Sequence, residues 1–226
     1  MAPRDGMVRA FRYGVLRTNG YVLSAGRDCV VVDPPQEAAA IFSLLGEEGL
    51  QVRALLCTHL HFDHVTGCRE WQDLTGLPVL AGLEDLEQCD MGFADAAKFG
   101  APPVRPFAVD VLEPGRHGFG GLLCDAIHVP GHSPGHLCYH FPRQNALFSG
   151  DTLFYRMLAA TDFAPYQSAE LLAASIDEKI RPLPPATAVY PGHGKRTTLA
   201  GEIAFGTLGQ ACTPAPAGNG QPGPPA

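Results

Sequence analysis

Thr58-His59-Leu60-His61-Phe62-Asp63-His64 packs three imidazoles and one carboxylate into a single short stretch. Imidazole and carboxylate are the donor types of zinc and iron sites. One histidine would read as an ordinary core or surface residue, but this density does not. Three more polar sites repeat the signal. They are His132 in Pro130-Gly131-His132-Ser133-Pro134-Gly135-His136, Asp151 in Ser149-Gly150-Asp151-Thr152, and His193 in Pro191-Gly192-His193-Gly194. Each follows an apolar run and sits beside glycine, which allows the tight backbone needed to turn a ligand inward. Taken singly, His132 could be a turn histidine, Asp151 a helix N-cap and His193 a loop residue. Together the four stretches offer seven donors: His59, His61, Asp63, His64, His132, Asp151 and His193. That is too many for one tetrahedral zinc and suits two divalent metals sharing a carboxylate. Such a pair supplies a nucleophile at neutral pH by acidifying water, and it stabilises a developing oxyanion. Asp63 and Asp151 are the candidate catalytic carboxylates.

The apolar runs predict the elements that must position these groups. Residues 1–13 read as a leading segment ending in an edge strand. Strands are expected at 20–24 and 29–33, joined through Gly26, Arg27 and Asp28, and a helix over 36–48 with Ala40, Ile41, Leu44 and Leu45 on one face. A buried strand at 52–57 delivers the first histidine cluster, and a helix over 66–74 follows it, with Trp71 and Leu74 as core anchors. A short strand at 77–80 and a helix over 83–89 come next. Gly92, Gly100, Pro102, Pro103 and Pro106 make 91–107 a loop with one helical turn. Further strands are expected at 108–111, 122–129, 136–141, 146–149 and 187–190, with a helix over 168–180 capped by Ser168. Residues 211–226, rich in Pro, Gly and Ala, predict a disordered tail after a single domain spanning 1–210. Hairpins mixed with βα units point to an α/β protein with two mixed sheets and outer helices, rather than a doubly wound sheet.

Composition narrows the function. The chain has 226 residues, 46% hydrophobic and 17% charged, with net charge −7, enough for one large core. The acidic balance disfavours a nucleic-acid partner. No apolar stretch approaches the roughly 18 residues of a membrane span, and the first residues lack the apolar core of a secretory signal. A cytoplasmic protein acting on a small molecule, as monomer or homodimer, is expected. The seven cysteines are odd in number and include no CxxC pair, so buried thiols are expected rather than a disulfide framework.

HxHxDH at 59–64, His132 in GHSPGH, Asp151 in FSGDTLF and His193 in PGHG resemble the metallo-β-lactamase superfamily, from about Asn19 to about Thr198. The resemblance implies a four-layer αββα sandwich with metals at one edge of the two sheets. FSGDTLF and PGHG are most similar to the glyoxalase II-like branch, whose members hydrolyse glutathione thioesters at a dinuclear zinc or iron site. For this chain that branch implies His59, His61 and His132 on one ion, and Asp63, His64 and His193 on the other. Asp151 would bridge them beside a hydroxide. Zn(2+) is the first expectation and iron the second.

The chain departs from that branch in two places. Glyoxalase II proper continues into a helical glutathione-binding domain, for which the stretch after His193 is too short. Ala159-Ala160 stand before Thr161-Asp162-Phe163, where short relatives carry glycines and an arginine. Arg156, Lys195 and Arg196, with Tyr155, are the candidate anchors for an anionic substrate; the alternative is ordinary solvated charge. His117, His128 and His140 read as structural, and His136 as a neighbour of the ligands. A thioester hydrolase leads. A persulfide dioxygenase-like oxidoreductase with one Fe(II) on His59, His132 and Asp151, or a lactonase-type hydrolase, stands as the alternative.

Overall fold

Both faces of the central strands are apolar, so each sheet must be covered twice. In the computed structural model, which describes residues 6–86 and 96–208, this produces four layers. The first sheet comprises β1 (Met7–Tyr13), β2 (Thr18–Ala25), β3 (Asp28–Val32), β4 (Gln51–Leu56), β5 (Val79–Ala81) and β6 (Val109–Val111), in that order across the sheet. The first three strands pair antiparallel and the rest parallel. The second sheet runs from β14 (Thr197–Thr198) through β13 (Ala188–Pro191), β10 (Ala146–Gly150), β9 (Leu137–Phe141) and β8 (Leu122–His128) to β7 (Gly115–Phe119). It is antiparallel except where β10 meets β13. A two-stranded ribbon, β11 (Leu153–Phe154) with β12 (Met157–Leu158), follows β10.

Period-two alternation sorts the side chains between layers. Tyr21, Leu23, Val30, Val32, Ala54, Leu56 and Phe148 face the space between the sheets. Their neighbours Val22, Cys29, Val31 and Leu55 face outward. There they pack with α1 (Ala38–Glu47) and with Trp71 of α3 (Cys68–Thr75). Trp71 is fully buried, and its indole N–H donates to Pro35 O at 2.9 Å. On the far side of the second sheet, Leu172 of α5 (Ala169–Ser175) and Leu199 of α6 (Leu199–Phe205) cover Val129, Leu147 and Val189. No helix among the described residues is long and apolar enough to cross a membrane.

Several expectations need correction. Leu74 is 37% exposed and Leu44 41%. The buried stripe of α1 is Ala38, Ile41 and Leu45, because α1 starts at Ala38 and its orientation leaves Ala40 and Leu44 in solvent. The helix expected over 66–74 forms as α3, and an unexpected single turn, α2 (Phe62–Val65), precedes it and carries Asp63 and His64. The helix from Ser168 is capped as expected, Leu171 N donating to Ser168 Oγ at 3.2 Å. It then widens into a π-turn over Ile176–Ile180 that keeps Ile176 and Ile180 buried. Strands β7 and β14 and helix α6 were not expected: β7 is short and polar, and the C-terminal pair begins in Lys-Arg-Thr-Thr. Within the proline-rich loop a 3-10 turn, Ala96–Phe99, forms as expected. α4 is described over Leu83–Leu86. The remainder of the helix expected to 89, the loop at 91–95, Cys89, Cys212 and the expected tail lie outside the described residues. Cys29, Cys57, Cys68, Cys124 and Cys138 are buried thiols.

Candidate metal centre

The ends of five strands meet at one edge of the sandwich. Asp33 follows β3, Thr58–His64 follow β4, His132 follows β8, Asp151 follows β10 and His193 follows β13. All seven donors expected from the sequence arrive there. Their ligand atoms fall into three overlapping groups, each within 4.8 Å: His59, His61 and His132; His59, His64 and Asp151; and Asp63, His64 and His193. The rings of His59 and His64 are 4.1 Å apart between centroids, and those of His61 and His132 4.7 Å. His193 Nε2 lies 3.2 Å from Asp63 Oδ2 and 3.5 Å from Asp151 Oδ2. His59, His64 and Asp151 are buried, whereas the His193 side chain is 27% exposed and marks the open face.

Two glycines make this convergence possible. Gly150 has φ 48, and a Cβ there would lie 2.4 Å from Thr58 Oγ1. A Cβ on Gly192 would lie 2.1 Å from Asp151 Oδ1. The strand ends therefore approach as bare backbone.

Hydrogen bonds fix which nitrogen of each ring is free. Thr58 Oγ1 donates to Asp33 (2.9 Å), so it accepts from His59 Nδ1 at 3.1 Å. His64 Nδ1 donates to Asp33 Oδ2 at 3.0 Å, and His132 Nδ1 donates to Ala160 O at 2.9 Å. Each bond commits Nδ1 and turns Nε2 into the centre, as partners behind metal-binding histidines do. His61 is reversed: its Nε2 meets Tyr166 Oη at 3.1 Å, and its Nδ1 faces His132 Nε2 at 3.0 Å. His59 Nε2, His64 Nε2 and Asp151 Oδ1 are buried with no hydrogen-bond partner. Buried polar atoms are rarely left so. Inward-turned lone pairs converging on two carboxylates fit cations, and the donor chemistry fits zinc or iron.

Electrostatics agree with that need. Burial, with the neighbouring His64 and His61, holds His59 well below the usual imidazole range. Burial and His132 lower His61 to about 4. Burial opposes charge on His193 as well, but Asp151 and Asp63 outweigh it and raise that ring to about 9. Burial likewise opposes ionisation of Asp63, yet His64 and His193 bring it down to about 2. The centre keeps its carboxylates charged and drives two equally buried imidazoles apart: His59 is held low, while at His64 burial is outweighed by Asp63, Asp151 and Asp33, which raise it well above the usual range.

Residues without a local signature complete the frame. Asp33 binds Thr58 N at 2.7 Å as well as His64. Thr18 Oγ1 donates to Asp63 Oδ2 at 2.7 Å. Asp85, 4% exposed, accepts from Leu60 N (3.0 Å), Ser133 Oγ (2.9 Å) and Gly135 N (2.6 Å), tying the 59–61 loop to the His132 loop. Burial raises its carboxyl against those bonds. His136, expected as a neighbour, accepts from Asp151 N at 3.1 Å and stacks on His59. His117 and His128 bond backbone carbonyls and His140 faces Asp125, away from the centre. Arg156, Lys195 and Tyr155 come together beside His193, while Arg196 is exposed and does not join them.

Comparison with known proteins agrees with this geometry. The family model "Metallo-beta-lactamase superfamily" matches residues 13–193. The chain is 33% identical over 200 residues to the "Probable metallo-hydrolase YqgX" of Bacillus subtilis, covering 84% of this chain and 92% of that protein. It is 30% identical over 185 residues to "Hydroxyacylglutathione hydrolase GloC" of Haemophilus influenzae, covering 78% and 84%. Among solved structures it superposes on the BLEG-1 B3 metallo-beta-lactamase with TM-score 0.81 and 31% identity, covering 90% of this chain and 100% of that one. It superposes on TTHA1623 in a di-iron-bound form with TM-score 0.78 and 35% identity, covering 87% and 98%. With its four-layer fold, its seven gathered donors and a family match from Tyr13 to His193, the chain belongs to the metallo-beta-lactamase superfamily.

Proposed function

We propose that this protein is a metal-dependent hydrolase of small acyl thioesters, of the hydroxyacylglutathione type. The observation that carries the reading is the convergence of seven donors with unpartnered buried lone pairs at one sheet edge. In this reading His59, His61 and His132 hold one divalent ion, Asp63, His64 and His193 hold a second, and Asp151 lies between them. Bound there, the ions would supply an acidified water and polarise the scissile carbonyl. Asp33, Thr58 and Ala160 keep the Nδ1 protons of His64, His59 and His132 directed away from the centre. Thr18 holds Asp63 in place, and the exposed face at His193 admits substrate. A thiolate is a good leaving group, so the reaction needs no strong general acid. The similarity to GloC supports the thioester class, and the di-iron TTHA1623 supports iron beside zinc as a cofactor. A cytoplasmic monomer or homodimer without a nucleic-acid or membrane partner accords with the acidic composition.

A one-iron oxidoreductase would need only His59, His132 and Asp151. It would leave Asp63, His64 and His193 gathered to no purpose, which favours the two-metal hydrolase. Elemental analysis followed by assays on S-lactoylglutathione, a simple lactone and a persulfide tests the reading. Two ions per chain and rapid thioester hydrolysis are expected, with His59→Ala losing both activity and metal. Hydrolysis no faster than with metal-free protein, or one iron with thiol-dependent oxygen uptake, sinks it.

A further inference from the structure

Two cations rest on one aromatic ring beside the open face of the centre. Lys195 Nζ lies 3.9 Å from the centroid of Tyr155, and the Arg156 guanidinium carbon lies 4.8 Å from it. The same guanidinium covers Phe205 at 4.5 Å. Aromatic faces attract cations, but two like charges on one ring repel each other. Neither cation forms a salt bridge among the described residues. The one carboxylate built into this corner does not neutralise them. Glu202, 1% exposed, spends its oxygens on Arg156 N (2.9 Å) and on the hydroxyls of Thr197 and Thr207. It thereby pins Arg156 at φ 64, a left-handed conformation unfavourable for a residue with a side chain. A buried acid holds the backbone, and the guanidinium is left to project over Tyr155. Solvated surface charge needs no such arrangement.

The cluster adjoins the centre. Phe154, next to Tyr155, packs its ring 6.0 Å from that of His193. Lys195 follows His193 by two residues, at most about 7 Å of backbone. The cations therefore lie beside His193, one of the two partly exposed donors.

We propose that Arg156 and Lys195, on the platform of Tyr155, form a subsite for a carboxylate carried by the thiol portion of the substrate. This rests on the thioester reading for the identity of the ligand. The arginine fork suits a carboxylate in two-point contact, and the lysine adds a compact charge. Glu202 is a positioning residue, acting through Arg156.

The test separates binding from turnover. S-methylglutathione, a thioether that cannot be hydrolysed as a thioester, and its diethyl ester are titrated into metal-loaded protein. S-lactoylglutathione and its diethyl ester are assayed in parallel. The free acids should bind and react with an advantage of about tenfold or more over the esters, expressed in Kd and KM rather than kcat. Added salt should shrink that advantage. Arg156→Ala with Lys195→Ala should abolish it while leaving metal content unchanged. Tyr155→Phe, which keeps the ring, should retain it. Equal binding of acid and ester by the parent protein, or an advantage that survives the double substitution, overturns the subsite. Failure to hydrolyse either thioester, with thioether binding still dependent on Arg156 and Lys195, leaves the subsite standing and refutes the thioester reading.

Discussion

On the two-metal reading, replacing Asp85 should cost this protein one ion before it costs the fold. Asp85 is not a donor to the centre. It joins two ligand loops through Leu60 N, Ser133 Oγ and Gly135 N, and these loops carry His61 and His132, whose facing nitrogens are 3.0 Å apart. In Asp85→Asn the amide oxygen can take the place of Oδ2 and keep the bonds from Leu60 and Ser133. The amide nitrogen then confronts the Gly135 N–H, now 2.6 Å from Oδ1, and donor meets donor. One buried donor left unmatched costs about 1–3 kcal/mol. In Asp85→Ala all three donors lose their acceptor, for about 3–5 kcal/mol in the metal-free protein. Loss of an outer partner typically weakens metal affinity by about 10–100-fold. Here it should fall on the ion proposed for His59, His61 and His132. The group of Asp63, His64 and His193 does not depend on the clamp. Urea unfolding of the metal-free variants gives the first quantity, and metal content under a graded chelator gives the second. Asp85→Ala protein with parent stability and two ions retained at every chelator level would refute the reasoning.

Other consequences follow from the same geometry. Asp33→Ala removes the acceptor of His64 Nδ1 and of Thr58 N and Oγ1. It should lower metal affinity about 10–100-fold and reduce stability, and a competition titration that finds parent affinity would contradict this role. Gly192→Ala sets a Cβ 2.1 Å from Asp151 Oδ1 and 2.7 Å from His64 Cε1. The expected result is a folded protein with impaired metal content, measured by elemental analysis beside its circular dichroism spectrum; full occupancy would show that the strand ends can separate freely.

How much of this was legible in the sequence depends on distance along the chain. Donors announced themselves because each donor stretch is local: a ligand type beside glycine at the end of an apolar run. The layers were legible for a related reason. Val30, Val31 and Val32 must face opposite sides of a sheet whichever strands flank them, so two covered faces follow from composition alone. Failures came where orientation depends on a partner. Leu44 and Leu74 are apolar at helical spacing, yet the sheet contacts other faces of their helices. No periodicity could choose between those faces.

The frame behind the donors was hidden for a deeper reason. Asp33 stands 31 residues from His64, Thr18 stands 45 from Asp63, Asp85 stands 48 from Ser133, and Tyr166 stands 105 from His61. An aspartate after a strand or a threonine before one has many local uses, such as capping a turn, and only the folded chain shows which one is realised. Yet these partners decide how the centre behaves. They choose the nitrogen that imidazoles present and hold the loops in register, and Thr18 adds to the contacts that keep Asp63 charged. Metal binding is therefore a property of the closed sandwich, not of the 59–64 stretch. An isolated peptide of that stretch lacks Asp33, Thr18 and Asp85, and with them the means to orient its rings. It should bind divalent zinc far more weakly than the folded protein. Matching affinity in a direct titration of peptide against protein would mean that the frame contributes nothing, and the argument for Asp85 and Asp33 would fall with it.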